Sequence, residues 1–291
     1  MPTEPQPTTV FGPGPAAPDA WLFLCGIGGD GDPGSLAEAA GRLEADARPV
    51  AGGAISVATA SVRLDPARHL DAARRCLSGA ETERAGRFVK HPDQVRYTLA
   101  HAMLRTLLAR RLALAPAGIA FAAGPNGKPR LAGPAAGLAF SLSYGKAMVA
   151  LAFARRPVGV DLEAVRDNVA FSEIGSRFFQ PDELRYLESA GDPGLRDRFF
   201  RLWTRKEAVL KALGVGLGGL GEVSCSAIWW SPTRRGAPRC ASRSAPCPAR
   251  PAMRWRWRWR PAGGRDRSPG RSIAPENDGF ARPSVWRRVA L

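Results

Sequence analysis

From Gly221 onward the chain offers nothing with which to build a core, so the fold has to be made by the residues before it. Residues 221–291 hold six of the eight Trp, three of the five Cys, nine Pro and 15 Arg, against four acids and with no apolar period. This tail carries +11 of the formal net charge of +16, which leaves only +5 on the first 220 residues. The basicity therefore describes the tail and not the fold. Arg254 to Arg260 alternates Arg with Trp, which on a strand would give one all-Trp and one all-Arg face. Such a segment suits a nucleic-acid arm or a membrane-surface element. The reading preferred is a disordered tail of accidental composition, that of a GC-rich gene read out of frame.

The remainder has the make-up of a globular chain, 45% of the whole sequence being hydrophobic. It has no apolar run long enough to span a bilayer and no basic n-region, so neither a transmembrane helix nor a signal peptide is expected. An odd number of Cys, five, at irregular spacing gives no disulfide framework and no zinc pattern. The expectation is a cytoplasmic protein. Residues 1–20 are Pro-rich and are read as disordered.

Between these ends the pattern predicts strands at Trp21–Cys25, Ile55–Arg63, Leu138–Leu142, Met148–Ala154 and Val158–Leu162. Helices are predicted at Ser35–Asp46, Pro66–Leu77, Ala80–Val89, Phe171–Phe178 and Pro181–Ser189. Two are long. Asp93–Leu114 places Val95, Leu99, Met103, Leu104, Leu107 and Leu108 on one face, and Asp197–Leu213 is the second. A strand-helices order that occurs twice indicates an α+β fold of two similar halves meeting near Arg155–Pro157. The division expected is 1–20 disordered, 21–53 an extension of uncertain kind, 54–155 the first half, 156–220 the second half and 221–291 the tail. Gly26 to Gly31 matches G-x-G-x-x-G, but with Asp32, Pro33 and Gly34 delaying the helix it is read as a plain Gly-rich loop.

Three segments carry chemistry. In Val158-Gly159-Val160-Asp161-Leu162-Glu163 the two acids are i, i+2 on a strand, so both point to one face while Val160 and Leu162 point to a core. Paired carboxylates of this kind suit a hard cation such as Mg²⁺; a solvated strand end beside Arg155, Arg156 and Arg166 is the plain alternative. In Phe199 to Leu213, Glu207 and Lys211 are i, i+4 on one helix face with Trp203 one turn earlier, and Leu202, Val209, Leu210 and Leu213 can pack inward. A surface ion pair would also fit that spacing. Asn126-Gly127-Lys128-Pro129 and Phe140-Ser141-Leu142-Ser143-Tyr144 offer a Lys on a turn and hydroxyls at a strand end, both able to contact phosphates.

Taken together, Gly-Val-Asp-x-Glu followed about 40 residues later by Trp-Thr-x-Lys-Glu-Ala-x-x-Lys resembles the 4′-phosphopantetheinyl transferases of the long, two-halved type. The upstream Gly-Lys-Pro and Phe-Ser-Leu-Ser fall where that family has them. The resemblance covers roughly residues 54–220. It implies a pseudo-dimer of two similar α+β halves with the active site in the cleft between them. It also implies Mg²⁺-dependent transfer of the phosphopantetheine arm of coenzyme A to a Ser of an acyl or peptidyl carrier protein, with release of adenosine 3′,5′-bisphosphate. By the resemblance, Asp161, Glu163 and Glu207 are the metal carboxylates. Glu207 is also the proposed general base, and Lys211 the cation on the leaving phosphate. Arg84, Arg87, Lys128, Pro129, Ser143 and Tyr144 are coenzyme contacts.

Two departures stand out. The family usually has His, contacting the coenzyme's 3′-phosphate, where this chain has Tyr144, a hydroxyl without positive charge. Relatives also continue past the Gly-rich segment into strands that complete the second half-sheet, whereas after Gly221 only Val223–Trp230 reads as a strand. If those strands are missing, a sheet edge is left unpaired. The reading is a monomeric enzyme with coenzyme A and a carrier protein as partners, and with neither membrane nor nucleic acid. The alternative is an inactive relic of the fold whose basic tail binds nucleic acid or a membrane surface.

Overall fold

The computed structural model describes residues 18–28, 34–50, 57–124, 126–133, 137–166, 168–189, 191–225, 254–255 and 288–290. The N-terminal stretch to residue 17 and most of the tail, with the disorder expected of both, lie outside the described residues.

Strand β1 (Ala20–Ile27) reads Trp-Leu-Phe-Leu-Cys through its centre and has no polar position to give to solvent, as a strand covered on both faces requires. It pairs in parallel with β3 (Val57–Leu64) and antiparallel with β7 (Met148–Ala154). With β2 (Arg48–Val50) beyond β3 and β6 (Ala139–Tyr144) beyond β7, the sheet order is β2-β3-β1-β7-β6, while β4 (Phe121–Ala123) and β5 (Pro129–Leu131) pair separately. The segment 21–53 thus supplies the central strand of the first half and the helix that follows it, α1 (Leu36–Ala45).

Alternation along β1 sorts two cores. Phe23 and Cys25 join residues of α1, α2 (Pro66–Cys76) and α4 (His91–Leu112), while Leu22 and Leu24 lie with Ala150, Ala152, Val158, Val160 and Leu162. On β7 the buried side chains of this second face are Ala150, Ala152 and Ala154, so the segment that opens the second half can pack close against it. On α4 all six residues of the predicted apolar face are buried. The helix is buried on its other sides too, which brings Arg105 and Arg111 inside.

The G-x-G-x-x-G match falls at the turn from β1 to α1, and this crossover does join parallel strands. Residues 29–33 of that turn lie outside the described residues. The start of α1 is already occupied: Ser35 N–H donates to Glu38 Oε2 at 2.7 Å and Glu38 N–H donates to Ser35 Oγ at 3.2 Å. These two bonds form a capping box.

The second half contains β8 (Asp161–Glu163), α5 (Phe171–Phe178), α6 (Pro181–Glu188) and α7 (Gly191–Leu213), the last beginning at Gly191 and not at Asp197. From the tail, β9 (Arg254–Trp255) pairs with β10 (Arg288–Ala290), and β10 pairs antiparallel with β8. The edge of β8 thus has a partner strand, drawn from much later in the chain than Val223–Trp230. The rest of the Arg-Trp run, 256–260, lies outside the described residues.

The two halves repeat one buried device. In the first, Glu81 of α3 (Gly79–Gly86) accepts from Ser78 N–H at 2.9 Å and from Arg105 Nε of α4 at 2.5 Å. Arg105 also donates to the carbonyls of Pro116 at 2.8 Å and Ile119 at 3.0 Å, beyond the helix end. In the second, Glu183 of α6 accepts from Gln180 N–H at 2.8 Å and from Lys206 Nζ of α7 at 2.6 Å. Lys206 also donates to the carbonyl of Val223, again beyond the helix end. A buried ion pair is tolerable only when its remaining donors and acceptors are met in this way.

Candidate active site

Strand β6 is the edge of the first sheet, and its two faces lead to two different places. Phe140, Leu142 and Tyr144 lie against the α4 core. Ser141 and Ser143 point to the second half, where their Oγ atoms accept from Val160 N–H at 3.0 Å and Leu162 N–H at 3.2 Å. These hydroxyls splice the backbone of β8 to β6, a use that spacing alone does not reveal because it joins residues far apart in the chain.

On the other side of β8 runs α7. A Cβ at Gly159 would lie 1.9 Å from the Ala208 carbonyl oxygen and 2.5 Å from Ala212 N, so only glycine permits this approach. The consequence is chemical. Lys211 Nζ reaches Asp161 Oδ1 at 2.6 Å and Ser143 Oγ at 3.1 Å, and Ser143 Oγ in turn donates to Asp161 Oδ1 at 3.0 Å. Asp161 is buried and its Oδ2 has no hydrogen-bond partner.

Two further carboxylates act on this cluster. Burial, then the charge of Asp161, raises Glu163 above the usual carboxylate range, while Arg166, Lys211 and a hydrogen bond from the Trp203 side chain pull the other way. Burial and then Asp161 raise Glu207 to about 7, with Lys211 opposing and Glu163 adding. Three acids thus share one low-dielectric corner, and one cation, Lys211, serves them all. Among the described residues no three His, Cys, Asp or Glu side chains gather at metal-coordinating spacing. The donor chemistry still fits a hard cation: all are oxygen ligands, and one carboxylate oxygen is orphaned.

A cleft of about 450 Å³ opens between the halves, with Arg84, His101 and Tyr144 of the first half and Glu207 and Lys211 of the second among its lining residues. Lys128 and Pro129 line it as well. Lys128 Nζ, however, donates to the carbonyls of Val158 at 3.0 Å and Ala212 at 3.3 Å, so its charge caps α7 and ties the halves together. Asn126 adds to that tie by donating to the Gly214 carbonyl at 2.9 Å. Arg87 lies outside the cleft lining, at the exposed end of α3 in an ion pair with Glu83.

Trp203 does not line the cleft. It stacks on Phe199 with ring centroids 5.9 Å apart inside the second-half core. Leu202 and Leu210 are buried as expected, but Leu213 is 47% exposed, because α7 ends there at the rim. Sequence reasoning missed Glu81 and His101, which also line the cleft. Ser78-x-x-Glu81 is a capping box and could have marked Glu81 as a fixed carboxylate.

The two α+β halves thus face each other across a cleft lined by Arg84 from the first and by Glu207 and Lys211 from the second, while Asp161, Glu163 and Ser143 lie outside its lining. The comparisons with known proteins agree. The 4′-phosphopantetheinyl transferase superfamily matches residues 157–251, and the 4′-phosphopantetheinyl transferase N-terminal family matches residues 65–155. The chain belongs to the 4′-phosphopantetheinyl transferase superfamily, of the Sfp-like type. It is similar to the 4′-phosphopantetheinyl transferase HetI of Nostoc sp., 37% identical over 151 residues, 50% of this chain and 63% of that protein. A 4′-phosphopantetheinyl transferase of Bacillus subtilis is 31% identical over 142 residues, 48% of this chain and 62% of that protein. The L-aminoadipate-semialdehyde dehydrogenase-phosphopantetheinyl transferase of Mus musculus is 32% identical over 157 residues, 50% of this chain and 51% of that protein. The chain thus spans less than two thirds of the length of these relatives. No described helix is long and apolar enough to cross a membrane.

Proposed function

We propose that this chain transfers the 4′-phosphopantetheine arm of coenzyme A to a serine of an acyl or peptidyl carrier protein, releasing adenosine 3′,5′-bisphosphate. The observation that carries the reading is the Lys211–Asp161–Ser143 cluster, set beside Glu163 and Glu207 at a cleft between the halves. Lys211 meets the charge that develops on the leaving phosphate. Glu207, raised to about 7, is poised to take the proton of the carrier serine near neutral pH. Ser143 holds Asp161 and Lys211 in register.

Asp161, Glu163 and Glu207 would hold Mg²⁺, supported by the orphaned Asp161 oxygen and the mutual repulsion of the three acids. When bound, the ion neutralises charge on the coenzyme's pyrophosphate. The protein acts as a monomer in the cytoplasm, with coenzyme A and the carrier protein as its partners.

Mass spectrometry of an apo carrier protein incubated with the chain, coenzyme A and Mg²⁺ tests this. The expected result is a gain of about 340 Da, the phosphopantetheine adduct. No gain across several carriers, with a working transferase in parallel, would reject the reading.

A further inference from the structure

The turn that joins β4 to β5 belongs to the first half and grips the second. Gly124 N–H donates to the Lys128 carbonyl at 2.8 Å and Gly127 N–H to the Gly124 carbonyl at 2.9 Å, with Gly127 in the left-handed region at φ 78°. The turn closed in this way sends two side chains across to the end of α7. Lys128 Nζ takes the carbonyls of Val158 and Ala212, and Asn126 Nδ2 takes that of Gly214. The stem of Lys128 runs over Gly214, where an added Cβ would meet its Cδ at 3.5 Å. The helix end itself is closed by Gly214 N–H, which returns to the Leu210 carbonyl at 2.7 Å. The carbonyls beyond Leu210 have no partner further along the helix, and the first half supplies two of the donors.

The place of the two carbonyls that Lys128 holds matters. Ala212 follows Lys211 directly, and Val158 leads through Gly159 and Val160 into Asp161. Between them lies the tight approach of Gly159 to the Ala208 carbonyl and to Ala212 N. One ammonium therefore bolts together the two segments that bring Lys211 Nζ to Asp161 Oδ1 at 2.6 Å. We infer that Lys128 is a positioning residue, which fixes the approach of α7 to β8 and with it the reach of Lys211 and Glu207, and is not the coenzyme contact that the resemblance implies. The inference rests on the proposed function for its kinetic consequence.

The preference for this role follows from hydrogen-bond accounting. Two of the three ammonium donors are spent on the Val158 and Ala212 carbonyls. Bonds from a charged donor are the stronger kind, and the negative end of the α7 dipole adds to them. Turning the ammonium to a phosphate would strand both carbonyls, one of them in the buried residue Val158. Asn126 supplies the internal control. It reaches the same helix end from the same turn, yet it has no charge to offer a phosphate. A residue that acts by holding α7 affects the step in which charge develops, so its loss falls on kcat. A residue that holds the coenzyme affects affinity.

The test compares K128M and N126A with the unaltered chain by amide hydrogen exchange, by calorimetric binding of coenzyme A, and by transfer kinetics on an apo carrier protein. K128M should lose exchange protection by about tenfold or more at residues 208–215 and 158–162. Its kcat should fall about tenfold or more, while its coenzyme A affinity changes by less than about threefold. N126A should show the same pattern at smaller amplitude. A loss of coenzyme A affinity of about tenfold or more in K128M, unchanged exchange, or an unchanged kcat would overturn the inference and leave the transferase reading intact. If K128M does not fold, N126A decides: unchanged exchange at 208–215 with an unchanged kcat overturns the inference. Absence of transfer by the unaltered chain to any carrier would overturn both.

Discussion

Arg105 and Lys206 do the same work in the two halves. Each leaves the long helix of its half, neutralises the third residue of a short helix, and donates to a carbonyl beyond its own helix end. Lys206 and Glu183 are both fully buried. Lys206→Met should therefore destabilise the fold by about 3–5 kcal/mol, since it strands a buried carboxylate. Urea denaturation would measure this; a loss below about 1 kcal/mol would show that the second half does not depend on the pair.

The first-half counterpart predicts an acid limb. Burial acts to raise Glu81, but donors from His101, the Ser78 backbone and Arg105 outweigh it and hold the carboxyl at about 2. A group depressed on folding binds fewer protons in the native state, so its stabilisation is complete above its ordinary value of 4.5 and is lost as pH falls toward about 2. Glu81→Gln should flatten the decline in melting temperature over that window. An unchanged acid limb would assign the loss to other carboxylates.

Gly159 offers a test that touches no ligand. Gly159→Ala places a methyl against the Ala208 carbonyl and must push α7 off β8. Turnover should fall about 100-fold or more, because Glu207 and Lys211 ride on the displaced helix. Stability should fall by about 1–3 kcal/mol. A mass-spectrometric transfer assay that found near-normal rates would mean α7 has slack there.

Glu207 predicts a slope of the opposite sign. Its carboxyl is raised to about 7, so between its ordinary value of 4.5 and about 7 the native state holds more protons than the unfolded chain, and stability falls as pH rises. Without divalent cation, Glu207→Gln should melt higher than the unaltered chain at pH 8, while losing turnover. Mg²⁺ should raise the melting temperature of the unaltered chain and raise that of the variant less.

Ser143→Ala removes one acceptor of Leu162 N–H and Lys211 and one donor to Asp161. The expected cost is about 1–3 kcal/mol, read by thermal melting, with a drop in kcat larger than any change in KM. An unchanged kcat would separate the strand splice from the chemistry.

Much of this was legible in the chain. The apolar period of α4, the alternation around Asp161 and Glu163, and the one-turn spacing of Glu207 and Lys211 are local, and local patterns survive folding. What stayed hidden is non-local. Nothing in Trp21–Cys25 says that it sits between β3 and β7. Ser141 and Ser143 read only as hydroxyls at a strand end, because the backbone donors they accept from lie on and beside β8. His101 looked like an ordinary residue of a long helix, since its meaning depends on Glu81 and Tyr144, which come from two other elements.

Ser143 and Tyr144 are consecutive on β6, one facing Lys211 and Asp161, the other facing His101. Their separation is one step of an extended chain, about 3.3 Å along the strand. A ligand that engages both faces is gauged against backbone, and no side-chain substitution alters that gauge. Substitution could recast the chemistry on either face and still keep the caliper. Only a slip of β6 against β7 would reset it, and that slip would turn every side chain of the strand to the wrong face.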